Sequence, residues 1–184
     1  MRCKALRYYA YETLSFLRSF PFGLISMVAE AAALWVLWPA DTKMGLRIVD
    51  PVPQTRVVFL NAIAEALTLI EENDPVRFAR LKREVRTIIN LPVRTCAQYF
   101  RPLKTCRINL PLSPLSKDRQ STIVFLACIL VHESTHGALC TKKILYHRNA
   151  GRVENFCAAE ERRFARRLGI ELRKDWGSPR RVAQ

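Results

Sequence analysis

Several patterns that would define a function directly are missing from the sequence. The six cysteines contain no CxxC pair, which excludes a four-cysteine zinc knot. The chain carries a formal charge of +14 over 184 residues, yet it has no long basic run and no basic motif with interleaved aromatic residues. A dedicated nucleic-acid-binding function is therefore disfavoured, although the charge suits anionic lipid or acidic protein as partners.

The cysteines allow two interpretations. Cys128 and Cys157 lie in apolar helical stretches, where a free cysteine behaves as a small hydrophobic residue, and this predicts buried thiols. Cys96 and Cys106 can form a disulfide if the protein lies outside the cytoplasm, and the sequence leaves that pairing open.

An apolar stretch over residues 20–40 is about long enough to span a bilayer. Glu30 near its middle costs about 2.5 to 3.5 kcal/mol, which roughly 0.3 to 0.6 kcal/mol from each large apolar side chain only just offsets. More Lys and Arg precede the stretch than follow it, which predicts a membrane anchor with the domain outside the cytoplasm. The alternatives are a helix buried against the domain of a cytoplasmic protein, and a cleaved signal peptide without an A-x-A-like site.

The remaining patterns predict an α+β fold, mostly helical with a small sheet, behind a hydrophobic N-terminal helix. Residues 41–54 contain "PVPQ" and predict a linker, which places a boundary between an N-terminal segment over 1–50 and a domain over 51–184 with a basic C-terminal tail. An amphipathic helix is expected over 56–72, with Val57, Leu60, Ile63, Ala64, Leu67 and Ile70 on its apolar stripe. A second helix is expected from Pro75 to about Ile89.

The C-terminal half predicts one strand and two helices. Residues 105–110 alternate in polarity, and the prolines around them place this strand near a sheet edge. A helix over about 117–140 is apolar on every side through residues 123–131, which predicts burial on every side. A loop over 141–151 and a last helix over 152–168, ended by Gly169, complete the expected order.

The motif "HESTH" at the end of the long helix suits a metal. Side chains four residues apart lie one above the other on a helix, so His132 and His136 can bind one Zn²⁺ ion. Glu133 flanks the ion and suits a general base that deprotonates water. The alternative is a pair of histidines satisfied near the core, with Glu133 in an ion pair.

A third ligand must come from farther along the chain. A histidine six residues past His136 would suit, but that position is Lys142. The last helix carries two acidic residues on its apolar stripe, Glu154 and Glu161, and a carboxylate there needs a cation. Glu154 is the predicted ligand, with Glu161 and His147 as alternatives. A salt bridge to Arg107 or Arg152 is the non-metal interpretation of Glu154.

"HESTH" followed eighteen residues later by Glu154 resembles the gluzincins, the zincin metallopeptidases whose third ligand is glutamate. The similarity covers roughly residues 101–168. It implies a zincin-like domain in which His132, His136 and Glu154 bind Zn²⁺ and Glu133 is the general base. It also implies that an edge strand, here residues 107–110, pairs with extended substrate.

The chain departs from the gluzincin pattern at two points. Many members have an acidic residue four after the ligand glutamate, which orients a histidine, whereas this chain has Ala158 and offers Glu161 one turn later. No motif identifies a transition-state donor, for which Tyr146 and His147 are candidates. The expected function is zinc-dependent hydrolysis of a peptide or protein. The alternatives are a catalytically degenerate zincin that binds metal or a partner, and a basic membrane- or nucleic-acid-binding module with an incidental motif.

Overall fold

The computed structural model describes residues 40–91, 93, 95–109, 119–142 and 146–171, without the side chains of 146–149. The predicted membrane stretch, apart from Ala40, and the basic tail after residue 171 lie outside this part. Within it the chain forms four α-helices and five short strands, so the α+β fold is confirmed.

The five strands form one mixed sheet in the order β1-β2-β3-β5-β4. The strands are β1 (Ala40–Lys43), β2 (Leu46–Val49), β3 (Thr87–Asn90), β4 (Ala97–Phe100) and β5 (Thr105–Ile108). The three central strands are parallel, and β1 and β4 pair antiparallel at the two edges. The connection from β2 to β3 is helical, as parallel neighbours require.

The linker prediction is wrong for residues 41–49, because they form the β1–β2 hairpin. Met44 and Gly45 have φ of 52° and 80°, the left-handed backbone of a two-residue hairpin turn. Leu46, Ile48 and Val49 are buried, so this hairpin belongs to the sheet. The prolines that suggested a linker come only after it.

Two helices follow the hairpin, α1 (Arg56–Asn73) and α2 (Pro75–Glu84). Asp74 separates them and caps α2, since its side chain accepts a hydrogen bond from the Arg77 backbone N–H at 3.1 Å. The predicted stripe of α1 is right at Ile63, Leu67 and Ile70, which are buried. It is wrong at Val57, which is 67% exposed while Phe59 is buried.

The second helix ends five residues earlier than expected, at Glu84, and the chain then forms β3. Thr87, Ile88 and Ile89 are β-branched, which favours a strand over the end of a helix. Ile88 is buried and reaches the core from the sheet.

The strand predicted from residue 105 is present as β5, but its edge position is wrong. β4 pairs with its outer side, and every residue of β5 is buried. Among the described strands, β4 therefore forms the sheet edge next to α-helical residues. The disulfide between Cys96 and Cys106 is also absent: Cys106 pairs with Tyr99 across the strands, and both cysteines are free thiols.

The long apolar helix, α3 (Arg119–Thr141), lies at the centre of the described fold and packs against α1, α2, β4 and the last helix. Residues 123–131 are all buried, as predicted. Among the described helices α3 alone has the length and hydropathy of a membrane span, and 72% of its most apolar window is buried by the rest of the protein.

The last helix, α4 (Tyr146–Arg167), begins six residues before the predicted start, so the expected loop is wrong from residue 146 onward. It ends where predicted: Gly169 has φ of 71°, and the Ile170 N–H donates to the Ala165 carbonyl at 3.0 Å. Its stripe faces α3, with Val153, Cys157, Phe164 and Ala165 buried. Helices α3 and α4 thus bring the histidine motif and the acidic stripe together.

Candidate metal centre

His132 and His136 lie one helical turn apart near the C-terminal end of α3. Their Nε2 atoms are 3.2 Å apart, and their ring centroids are 5.0 Å apart. Both side chains are mostly buried, at 18% and 13% exposed. The predicted convergence of the two imidazoles is therefore present, with the Nε2 atoms on the shared side.

Glu154 on α4 reaches the same point. Its Oε2 lies 3.3 Å from His132 Nε2, and its Oε1 lies 3.4 Å from His136 Nε2. In a tetrahedral zinc site with bonds of about 2.0 to 2.1 Å, two ligand atoms are about 3.3 to 3.4 Å apart. The spacing of these donor atoms therefore fits a single zinc-sized ion.

Glu161 occupies a different position from Glu154. Its Oε2 lies 3.0 Å from His132 Nδ1, on the other side of the ring from Nε2. A carboxylate on the second nitrogen of a histidine fixes the orientation and tautomer of the ring and strengthens it as a ligand. The structure thus places Glu161 as the residue that orients His132, and not beside the two Nε2 atoms.

Glu133 is buried at the junction of α3 and β4, with 6% of its surface exposed. Its carboxylate accepts a hydrogen bond from the Tyr99 backbone N–H, on the free edge of β4. Burial raises the pKa of Glu133, and the neighbouring imidazoles of His132 and His136 lower it by less, so the net shift is upward. A carboxyl group with a raised pKa beside two histidines is suited to accept and return a proton.

The pKa of His132 is raised to about 10 in the absence of metal. Burial lowers this pKa, but hydrogen bonds to Glu154 and Glu161 and the charge of Glu133 outweigh it. The metal-free site therefore holds a proton on His132 at neutral pH, and a cation is already stabilised between the carboxylates.

Cys157 is the residue of this centre that the sequence analysis placed only in the core. It lies one turn after Glu154 on α4 and is fully buried, as predicted for the thiol. The thiol sulfur lies close to both imidazoles: one donor atom from each of Cys157, His132 and His136 forms a group in which all separations are within 4.8 Å. This largely buried group could bind a metal ion. Burial raises the pKa of the Cys157 thiol. The sequence signal that pointed to Cys157 was its position three residues after Glu154, which puts both side chains on one face of α4.

Fewer contacts are described for the other predicted candidates. Tyr146 and His147 belong to the first turn of α4, but their side chains lie outside the described part of the chain. The guanidinium of Arg107, one proposed partner of Glu154, lies 4.4 Å from the ring centroid of Phe100.

No protein-family model, no curated protein and no solved structure matches the chain. The resemblance to gluzincins consequently rests on the motif and on the placement of His132, Glu133, His136 and Glu154.

Proposed function

We propose that the protein is a zinc-dependent hydrolase of peptide bonds. One observation carries the proposal: the Nε2 atoms of His132 and His136 and the carboxylate of Glu154 converge with separations of 3.2, 3.3 and 3.4 Å. Ordinary salt bridges do not require two imidazole nitrogens and two carboxylate oxygens to share one centre at these separations.

The donor set favours zinc over magnesium and calcium. Magnesium and calcium prefer oxygen ligands throughout, whereas two imidazoles and one carboxylate are a frequent catalytic set for zinc. The carboxylates Glu133, Glu154 and Glu161 surround two imidazoles, so a divalent cation also balances the local charge.

Each residue has a role in such a reaction. Bound zinc would polarise the scissile carbonyl and acidify a water molecule. Glu133 accepts a proton at its carboxylate and returns it to the leaving amine, for which its raised pKa is suited. Glu161 holds the His132 ring through Nδ1, and the side chain of Glu154, 44% exposed, forms the side of the centre that is open to solvent.

The substrate we propose is an extended peptide segment of a protein. No described strand pairs with the outer edge of β4, and the Tyr99 N–H on this edge donates to Glu133, so a strand of substrate added along β4 would lie next to Glu133. This edge takes the place of β5, which β4 covers. The net charge of +14 favours acidic substrates. Anchoring at a membrane through residues 20–40 stays a proposal.

Substitution of the base tests the proposal. Glu133→Gln should retain zinc and lose hydrolysis of casein or a peptide library by about 10²- to 10⁴-fold, the usual contribution of a general base. Glu72→Gln, which changes an exposed glutamate on α1, is the matched control and should keep full activity. Equal activity in both variants would contradict the role of Glu133.

A second candidate function is metal binding without turnover. The observation that favours it is the thiol of Cys157 beside the two imidazoles, because a fourth protein ligand is typical of structural zinc sites. Zinc retained by the wild-type protein with no hydrolysis of any peptide in the library would support this function.

A further inference from the structure

Helices α3 and α4 each contribute two potential ligands, one helical turn apart. His132 and His136 are four residues apart on α3, and Glu154 and Cys157 are three residues apart on α4. Such spacings put both members of a pair on one face of their helix, and these two faces pack against each other. The helix pair therefore presents four donor side chains to one small volume.

We propose that Cys157 is a fourth protein ligand of the metal, so that its sulfur closes the site to water. The inference rests on the proposed function, since it concerns the same metal centre. When the sulfur coordinates, the S–H bond breaks, the proton leaves to solvent and a sulfur–metal bond forms. Water can then bind the metal only when the sulfur dissociates from it. Coordination by Cys157 therefore inhibits hydrolysis.

The geometry supports coordination by the sulfur. Its distance to one nitrogen of each imidazole is at most 4.8 Å. A tetrahedral zinc site needs about 3.6 Å between a nitrogen and a sulfur ligand, so the sulfur has to approach by about 1.2 Å at most. Cys157 is fully buried, with Leu139 and Val153 packed around it, whereas the side chain of Glu154 is 44% exposed. The sulfur thus approaches the ion from the protein interior, opposite the solvent side.

Cobalt absorption provides the test, because thiolate coordination to Co²⁺ gives a charge-transfer band in the near ultraviolet. The full-length protein, loaded with one Co²⁺, should show this band, and Cys157→Ala and Cys157→Ser should lose it. Two matched variants should keep it: Cys128→Ala, a buried thiol on α3 outside the group, and Cys140→Ala, one turn after His136.

Affinity and activity give independent readouts. Loss of a direct ligand should weaken zinc binding at least as much as loss of an outer-shell partner, about 10- to 100-fold in Kd for Cys157→Ala. The same variant, saturated with zinc, should hydrolyse casein faster than the wild type. Circular dichroism of both Cys157 variants confirms that they are folded.

The outcomes separate the two proposals. One bound Co²⁺ without a thiolate band, or a band that survives in both Cys157 variants, would overturn the role of Cys157 and leave the zinc site standing. Failure of the wild-type protein to bind either Co²⁺ or Zn²⁺ would overturn the proposed function together with this inference.

Discussion

Two neighbouring glutamates on α4 belong to two different buried ionic clusters. Glu160 belongs to the arginine cluster, in which it contacts Arg77, Arg80 and Arg163 at 3.1, 3.1 and 2.6 Å. Glu161 belongs to the histidine cluster, which consists of His132, Glu133, His136, Glu154, Cys157 and Glu161. The chain turns about 100° between the two residues, so one faces α2 and the other faces α3.

The clusters differ in how their charge is balanced. In the arginine cluster, permanently charged guanidinium groups surround Glu160 and Asp74, the latter in contact with Arg77 and Arg167. Burial raises the pKa of Glu160, but the hydrogen bonds from Arg163 and Arg80 and the charges of the arginines together lower it by more. The net shift is downward, so the carboxylate is charged. The histidine cluster has three carboxylates around two imidazoles, whose charge depends on protons. A cluster of the first kind holds a fold together, whereas one of the second kind is suited to accept a cation.

The largest effect is expected from breaking the arginine cluster. Glu160→Gln removes the carboxylate that the mostly buried Arg80 contacts, whereas Arg77 keeps its contact with Asp74. Loss of this buried partner should lower the free energy of unfolding by about 3 to 5 kcal/mol. Urea denaturation measures this, and the loss should be the same with and without zinc. A loss below about 1 kcal/mol would mean that the arginines are compensated by other groups.

Zinc should stabilise the fold only through the histidine cluster. At a free zinc concentration of about 100 times Kd, the free energy of unfolding of the wild type should rise by about 2.7 kcal/mol, and chelation should reverse the gain. His136→Ala should abolish the gain, and Glu160→Gln should retain it, because the ion pairs of Glu160 are with arginines and not with members of the histidine cluster. An equal gain in His136→Ala would place the metal elsewhere.

Glu161→Gln should weaken the centre without removing a ligand. The amide still reaches His132 Nδ1 but orients the ring less strongly, so the zinc Kd should rise about 10- to 100-fold. Calorimetric titration with zinc measures the change, with the exposed Glu71→Gln as control. Complete loss of binding would instead make Glu161 a direct ligand, as the sequence left open.

The pH dependence of stability tests the charge of His132. The pKa of His132 is about 10 in the metal-free fold and about 6.5 in an unfolded chain. Its contribution to stability is therefore fully present below pH 6.5 and is lost as pH rises toward 10. Chemical denaturation of the metal-free protein at pH 6, 8 and 10 should show this decline, and His132→Gln should flatten it.

Zinc binding should have the opposite pH dependence. The ion displaces the proton of His132, so the apparent affinity should rise about tenfold per pH unit between pH 6 and 9, and about a hundredfold per pH unit if Cys157 also loses its proton to coordinate. An affinity that does not vary with pH would indicate that His132 is already neutral in the metal-free protein.

The histidine cluster was predictable from sequence to the extent that helix periodicity determines it. The spacing of His132 and His136 and the stripe that carries Glu154 and Glu161 follow from 3.6 residues per turn. Cys157 was placed only in the core, because a cysteine on an apolar stripe has the same pattern whether or not a metal lies next to it.

The sheet was less predictable because its strands have only four residues each. The turn of the β1–β2 hairpin lacks the Asn-Gly pair that is typical of hairpins, and two prolines follow the hairpin. Its sequence therefore resembled that of a linker. β4 reads "AQYF" and shows no alternation, and without it β5 had the composition of an edge strand. Pairing across the sheet, of β2 with β3 in the first case and of β4 with β5 in the second, decided both cases.

Zinc content after purification tests the central claim most directly. The wild-type protein, dialysed against metal-free buffer and measured by elemental analysis, should contain one zinc ion per chain. The double variant His132→Ala/His136→Ala should contain almost none, while Glu71→Gln should match the wild type. Absence of zinc from the wild type after incubation with the ion, or an unchanged zinc content in the double variant, would contradict the account.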